Sequence, residues 1–215
     1  MQKVLLSVAA AAALSFASFA ANAATHDGAF VSVTAGGSHY DVSGSSAYDK
    51  NDSSVGGLVG YRWVVDRPFS IGVEAGYVNL GKMTYSDTAT YGSSDQYSDT
   101  IKAKFKGKAV LVGASGKWDL PNGFTITAHA GVAHSQIDLS AREYVDGPGV
   151  SRTYKLYDGT SHDNAIYAGL GFGYDFNEHF GISVVYDHYA LKAEDLTGKH
   201  TVNVGVFGGN VEYRF

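Results

Sequence analysis

The sequence predicts an all-β chain: eight antiparallel strands wound up and down into a closed barrel that spans a membrane. Three observations carry this reading. Apolar residues alternate at period two in eight segments, the connections between them alternate between short and long, and after the N-terminal segment no helix-length apolar run remains. Without such a helix, only a closed barrel can satisfy its backbone polar groups inside a bilayer.

The N-terminal segment reads as an address. Lys3 precedes an apolar stretch from Val4 to Ala21, and Ala21-Asn22-Ala23 supplies the small-x-small pattern of a secretory cleavage site. A transmembrane helix is the competing reading. The run is alanine-rich and interrupted by Ser7, Ser15 and Ser18, which favours a signal peptide over 1–23 and a mature domain over 24–215.

Composition narrows the class. Of 215 residues 17% are charged and 13% aromatic, with 27 Gly, 3 Pro and no Cys. A typical soluble domain has about 25% charged residues and about 7% Gly. Sixteen Lys and Arg against 21 Asp and Glu, a net charge of -5, argue against nucleic acid as a partner. Lack of cysteine removes disulfides, thiolate metal sites and cysteine nucleophiles.

The strands follow in order. Val31, Val33 and Ala35 share a face of the first, and Val55, Gly57, Val59, Tyr61 and Trp63 a face of the second. Phe69 to Tyr77 by twos make the third, and Val110 to Trp118 by twos, closed by Leu120, the fourth. Phe124 to Val132 make the fifth, Ile166 to Phe176 the sixth, Phe180 to Tyr186 the seventh and Phe207 to Phe215 the eighth. Opposite faces are small or polar, such as Gly169, Gly171 and Gly173 or Thr125, Thr127 and His129. A soluble sandwich would expose Lys and Glu there, whereas the narrow lumen of an eight-stranded barrel needs small side chains. Val110 to Leu120 spans ~33 Å along a strand, or ~25 Å of height at a tilt near 40°, which matches the apolar band of an outer-membrane barrel.

The short connections are Val65 to Pro68, Pro121 to Gly123 and Asn177 to His179; long polar loops are expected over 41–54, 81–100, 138–164 and 190–200. Trp63, Phe69, Trp118, Phe124, Phe176 and Phe180 flank the short turns and, with Tyr213 and Phe215, predict an aromatic girdle at the periplasmic interface.

The C-terminal VEYRF (211–215) resembles the last strand of OmpA-like and opacity-like small outer-membrane barrels, and VGGLVGYRW (55–63), IGVEAGYVNLG (71–81) and YAGLGFGYDF (167–176) are similar to that family's second, third and sixth strands. The resemblance covers 24–215 and ends at the barrel, so cell-wall tethering is not expected of it. It implies the outer membrane of a Gram-negative bacterium, both termini periplasmic and the long loops extracellular. It further implies that Val211, Tyr213 and Phe215 form the signal read by the outer-membrane assembly machinery. Asn210 stands where that signal usually carries glycine.

Candidate chemistry lies inside and outside the wall. Arg62 and Glu74 face inward on adjacent strands, as a gate or as an internal salt-bridge network; isolated charges in a narrow lumen are costly, which favours the network. His129, Asp175, Asp187 and Glu212 share the inward parity and extend it. Lys102, Lys104, Lys106 and Lys108 alternate on the outward parity, either touching lipopolysaccharide phosphates or forming a solvated strand extension. The eight histidines form no H-E-x-x-H or acidic cluster, so neither metal nor cofactor is expected. Lipid A deacylases of this architecture pair a His with Ser two residues on, and no histidine here has that neighbour. Ser161, His162 and Asp163 offer a palmitoyltransferase-like set on an outer loop, but adjacent loop residues of these types are common and catalysis is the less favoured reading.

The favoured reading is a monomeric, non-enzymatic surface protein whose loops, rich in tyrosines such as Tyr85, Tyr91, Tyr97 and Tyr144, contact lipopolysaccharide or an extracellular protein or glycan. A small solute channel is the second reading and an envelope enzyme acting on lipid A the third.

Overall fold

A computed structural model describes residues 26–41, 48–92, 97–195 and 198–215; the expected signal segment 1–23 lies outside them. Eight long strands run β1 (Gly28–Asp41), β2 (Asn51–Asp66), β3 (Phe69–Tyr91), β4 (Tyr97–Asp119), β5 (Phe124–Gly147), β6 (Val150–Asp175), β7 (Phe180–Asp195) and β8 (Gly198–Arg214). Each pairs antiparallel with its sequence neighbour, and β8 returns to β1 through pairs such as Val33↔Val211 and Ala35↔Gly209. The ring is closed. Leu120, Phe176 and Phe215, read from sequence as strand ends, lie one residue beyond β4, β6 and β8.

The faces divide as period two requires. Val33, Val59, Val112, Ile166, Leu170 and Phe207 stand exposed on the outer wall, each more than half accessible, as a surface made for hydrocarbon rather than water. Inward glycines let the barrel stay narrow. A Cβ at Gly169 would collide with the side chains of His129 and Asp187, and one at Gly113 with the Tyr167 hydroxyl. At one end the connections are tight: β2–β3 passes through a cis Arg67–Pro68 bond, and β4–β5 through Asn122 (φ 64°) and Gly123 (φ 82°). Both residue types tolerate that left-handed backbone.

The other end corrects the expectation of long loops. Much of 81–100 and 138–164 is ladder: β3 pairs with β4 as far as Tyr91↔Tyr97, and β5 with β6 as far as Gly147↔Val150. Hydropathy lost these extensions because their outward residues turn from Val and Phe to Lys, Ser and Thr while the period continues. β4 runs on from Val110 to Tyr97, roughly 43 Å along the strand. Above Ile166↔Ala190, β6 has no pairing to β7 among the described residues, so β3–β6 project together as a four-stranded sheet. Its other edge is partly covered by Tyr48–Asp49, which pairs with Thr84 and Tyr85 of β3.

A bulge interrupts β3. The register against β4 shifts between Asn79 and Lys82, where Gly81 takes φ 75°. The side-chain parity therefore reverses, turning Met83 inward and Lys82 outward. The β4–β5 ladder has no such shift from Asp119↔Thr125 to Ser98↔Asp146.

The lumen is filled in two tiers. Toward the short turns lie charged and hydroxyl side chains, and toward the projecting sheet an apolar cluster that includes Leu80, Met83, Leu111, Ile137, Leu191 and Val204. The Tyr40 hydroxyl donates to the carbonyls of Leu80 (3.3 Å) and Gly81 (3.2 Å), tying β1 across to the bulge. Replacing Gly169 by Val should cost about 1–3 kcal/mol, the usual penalty for overpacking. Urea unfolding in lipid vesicles measures it, and an unchanged midpoint would show that the lumen has slack there.

Candidate functional site

Two assemblies of functional side chains emerge from the barrel. The first crosses the lumen. Arg62 on β2 reaches Glu212 on β8, Nη1 to Oε1 at 2.7 Å, and its guanidinium lies 3.9 Å over the Phe30 ring. Lys117 on β4 meets Asp175 on β6 at 2.7 Å and approaches Glu212 at 3.6 Å. Arg214 on β8 shares Asp175 at 2.7 Å and lies 3.7 Å from Glu212. These residues come from four strands, so they brace the ring across its bore.

Deeper toward the apolar tier, His129 on β5 bridges two carboxylates. Its Nδ1 lies 3.1 Å from Glu74 Oε1 on β3 and its Nε2 2.9 Å from Asp187 Oδ1 on β7. The Tyr167 hydroxyl donates to Glu74 at 2.9 Å, and the Tyr167 ring stacks on Tyr189 with centroids 6.0 Å apart. A cavity of about 50 Å³ lies among Arg62, Glu74, Lys117, His129, Asp175 and Asp187. That is room for a few water molecules and nothing larger.

Arg62 and Glu74 thus belong to different clusters, which corrects the pairing expected from their adjacent strands. On the β2–β3 ladder Arg62 faces Gly72 and Glu74 faces Gly60, so the two side chains are a step apart along the wall, and each reaches across the lumen instead. Lys117, Arg214 and Tyr167 were missed, although parity exposes them: Lys117 falls opposite in phase to Val110–Trp118, and Arg214 lies between outward Tyr213 and Phe215.

The second assembly is on the outer wall. Lys102, Lys104 and Lys106 of β4 are exposed and Lys108 is half-buried, 3.8 Å from Asp138 of β5. Hydrogen bonds from Gln136 and Thr160 hold the Asp138 carboxyl below the usual range, so it stays ionised. Register adds cations that the sequence had not placed: Lys82 lies opposite Lys106, Arg142 opposite Lys102, and Lys155 opposite Arg142.

At the short-turn end the aromatics form contacting groups. Phe69 meets Trp118 edge-on at 6.3 Å, Phe124 meets Tyr174 at 5.5 Å, Phe176 meets Phe180 at 5.7 Å, and Tyr213 meets Phe215 at 5.1 Å. Trp63 packs on Tyr61 at 5.0 Å. Val211 and Tyr213 face outward on β8 and Phe215, just past its end, is exposed with them, while the Asn210 amide turns inward and donates to Thr34 Oγ1 at 2.8 Å. His162 faces outward whereas Ser161 and Asp163 share the inward parity, so the three do not converge.

A family profile described as "Outer membrane protein beta-barrel domain" matches residues 7–215. The chain belongs to this family. Its members sit in the outer membrane of Gram-negative bacteria, which accounts for the apolar outer wall. Among solved barrels, Ail of Yersinia pestis, crystallised with the heparin analogue sucrose octasulfate, superposes with a TM-score of 0.51 at 16% identity, over 89% of this chain and 100% of Ail. The N-terminal barrel of OprF from Pseudomonas aeruginosa gives 0.45 at 15%, over 87% and 100%. The outer-membrane protease OmpT of Escherichia coli gives 0.46 at 13%, over 89% and 98%. At these identities the likeness is one of fold. Against curated protein sequences the chain has no match.

The two lumen clusters make a sharp expectation for this outer-membrane barrel. In double-mutant cycles Arg62→Ala and Glu212→Ala should couple by about 1–3 kcal/mol, while Arg62→Ala and Glu74→Ala should add to within about 0.5 kcal/mol. Coupling of the second pair as strong as the first would merge the clusters into one.

Proposed function

We propose that this outer-membrane barrel is a non-enzymatic structural and surface-interaction protein. The reading puts both termini and the short turns in the periplasm and the β3–β6 sheet outside the cell. The observation that carries it is the two-tier filling of the lumen among the described residues, ion pairs below and apolar packing above, which argues against passage of solutes. Work is then left to the outside of the molecule.

The projecting sheet is suited to contact. Its tip brings Tyr91 onto Tyr97 in a stacked pair at 5.7 Å, and exposed Tyr154 and Tyr157 line the neighbouring hairpin. Such side chains offer large, stiff contact area at small entropic cost. Ail was crystallised with a sulfated sugar analogue, and an anionic glycan is a reasonable partner class for the cationic outer wall here as well. Assembly would proceed through the Val211, Tyr213 and Phe215 signal after removal of residues 1–23, to give a monomer.

Planar-bilayer conductance tests the reading. Wild type should be silent, and Arg62→Ala should stay silent because the apolar tier is untouched; discrete wild-type openings would promote a small solute channel instead. Orientation is tested by single cysteines in this cysteine-free chain. An impermeant maleimide should label Ser151→Cys on intact cells and leave Glu178→Cys unlabelled, and the reverse pattern would turn the barrel over.

A further inference from the structure

The outer face of the β3–β6 sheet contains a conflict that packing alone does not explain. The bulge at Leu80–Gly81 turns Lys82 outward, directly opposite Lys106 on β4. Four residues farther along β4, Lys102, Arg142 and Lys155 stand in one row across β4, β5 and β6. Facing side chains on one side of a ladder have Cβ atoms about 4.5–5.5 Å apart, and like charges so placed destabilise it. Three such pairs occur within a few rungs.

Local acids relieve only part of this: Asp138 stands opposite Lys106 and acts on both Lys106 and Lys108, and Asp158 acts on Arg142 as well as Lys155. Asp138 is drawn to Lys108 and held by Gln136 and Thr160, and Asp158 is held by Lys155 at 2.9 Å. Lys82, Lys104, Lys106 and Arg142 have no ion pair among the described residues, and Lys102 has only a cation–π contact with Tyr144 at 5.3 Å. The opposite face of the same rungs differs in kind: Ile101, Ala103 and Phe105 of β4 are flanked by Asp87 and Glu143, with no lysine or arginine. One side of a thin sheet is basic and the other is not.

Height selects the ligand. Lys108 and Lys106 follow Val110, an outward residue of the apolar band, at steps of about 6.6 Å along the strand. At a strand tilt near ~40° that places Lys108 about 5 Å above the band, in the headgroup layer of roughly 5–8 Å, and Lys106 and Lys82 about 10 Å above it, at the outer edge of that layer and within a lysine side chain's reach of it. The Lys102–Arg142–Lys155 row lies about 13 Å farther along the strand than Lys106. Anions bound to the outer leaflet would meet both levels, whereas a ligand arriving from solution has no need of the lower one.

We propose that this face binds phosphates of the phosphorylated glycolipid in the outer leaflet of its own membrane, Lys82 and Lys106 holding a phosphate of the lipid anchor and Lys102, Arg142 and Lys155 one in the saccharide above it. The assignment rests on the surface orientation argued above. A bridging phosphate turns each like-charge pair from a cost into two charge-assisted hydrogen bonds, so the face is stable when lipid is present and strained without it.

The test uses the barrel recovered from membranes in detergent, titrated with lipid A in native mass spectrometry. Wild type should bind bisphosphorylated lipid A at least about tenfold more tightly than the dephosphorylated form, and Lys82→Gln/Lys106→Gln should lose that preference. Lys102→Gln/Arg142→Gln should keep it but lose the added affinity for lipopolysaccharide with a phosphorylated core. In thermal melts Lys106→Gln should match or exceed wild type without lipid and fall below it with lipid, a crossing that a folding defect would not produce. Equal binding of phosphorylated lipid by Lys82→Gln/Lys106→Gln and wild type would overturn the assignment. So would binding of sucrose octasulfate as tight as that of phosphorylated lipid A, which would mark a glycan from outside and leave the surface reading intact. Labelling of Glu178→Cys on intact cells would remove both.

Discussion

Closure of the sheet on itself is the constraint from which the rest of the structure follows. Once β8 pairs with β1, the ring has no free edge within the band, and its backbone groups are satisfied without water. A ring of eight strands encloses little space, so the wall must be lined by residues that leave room for their neighbours. Gly113 and Gly169 do this where Tyr167, His129 and Asp187 converge. The outer wall is free of that limit and takes Val, Leu and Phe, which hydrocarbon favours.

Charges inside the ring are arranged by the same economy of space. Arg62, Lys117 and Arg214 gather on Asp175 and Glu212, while Glu74 and Asp187 are left to His129 and the tyrosine hydroxyls. Removing one partner would leave a buried charge uncompensated, an expensive defect, so the network is best understood as bracing between strands far apart in sequence. The apolar tier has a different origin. Leu80, Leu191 and Val204 sit where the strands leave the band, and they seal the bore by packing instead of pairing.

Beyond the band the ladder does not end. β3 to β6 continue as a sheet with one basic face, so the part of the molecule directed away from the lipid has the fixed spacing of paired strands. Charge positions there are set by register to within a residue. A one-residue bulge in β3 is enough to bring Lys82 opposite Lys106.

The sequence by itself determined the barrel, its eight strands, the outward aromatic positions and the inward parity of Arg62, Glu74, His129, Asp175, Asp187 and Glu212. All of these follow from period two, which is a local property of the backbone. The inward parity of Lys117 and Arg214 was equally local and could have been read. Tertiary structure alone decided who meets whom. Arg62 pairs with Glu212 because closure of the ring sets β2 and β8 on either side of β1 and brings together residues 150 positions apart, a proximity that no spacing encodes. It also decided that polar stretches expected as loops are ladder, since an exposed strand loses its hydrophobic alternation but keeps its partner's hydrogen bonds. Lys82 faces outward for a reason of the same kind: a bulge reverses parity at one point, and only pairing with β4 shows where.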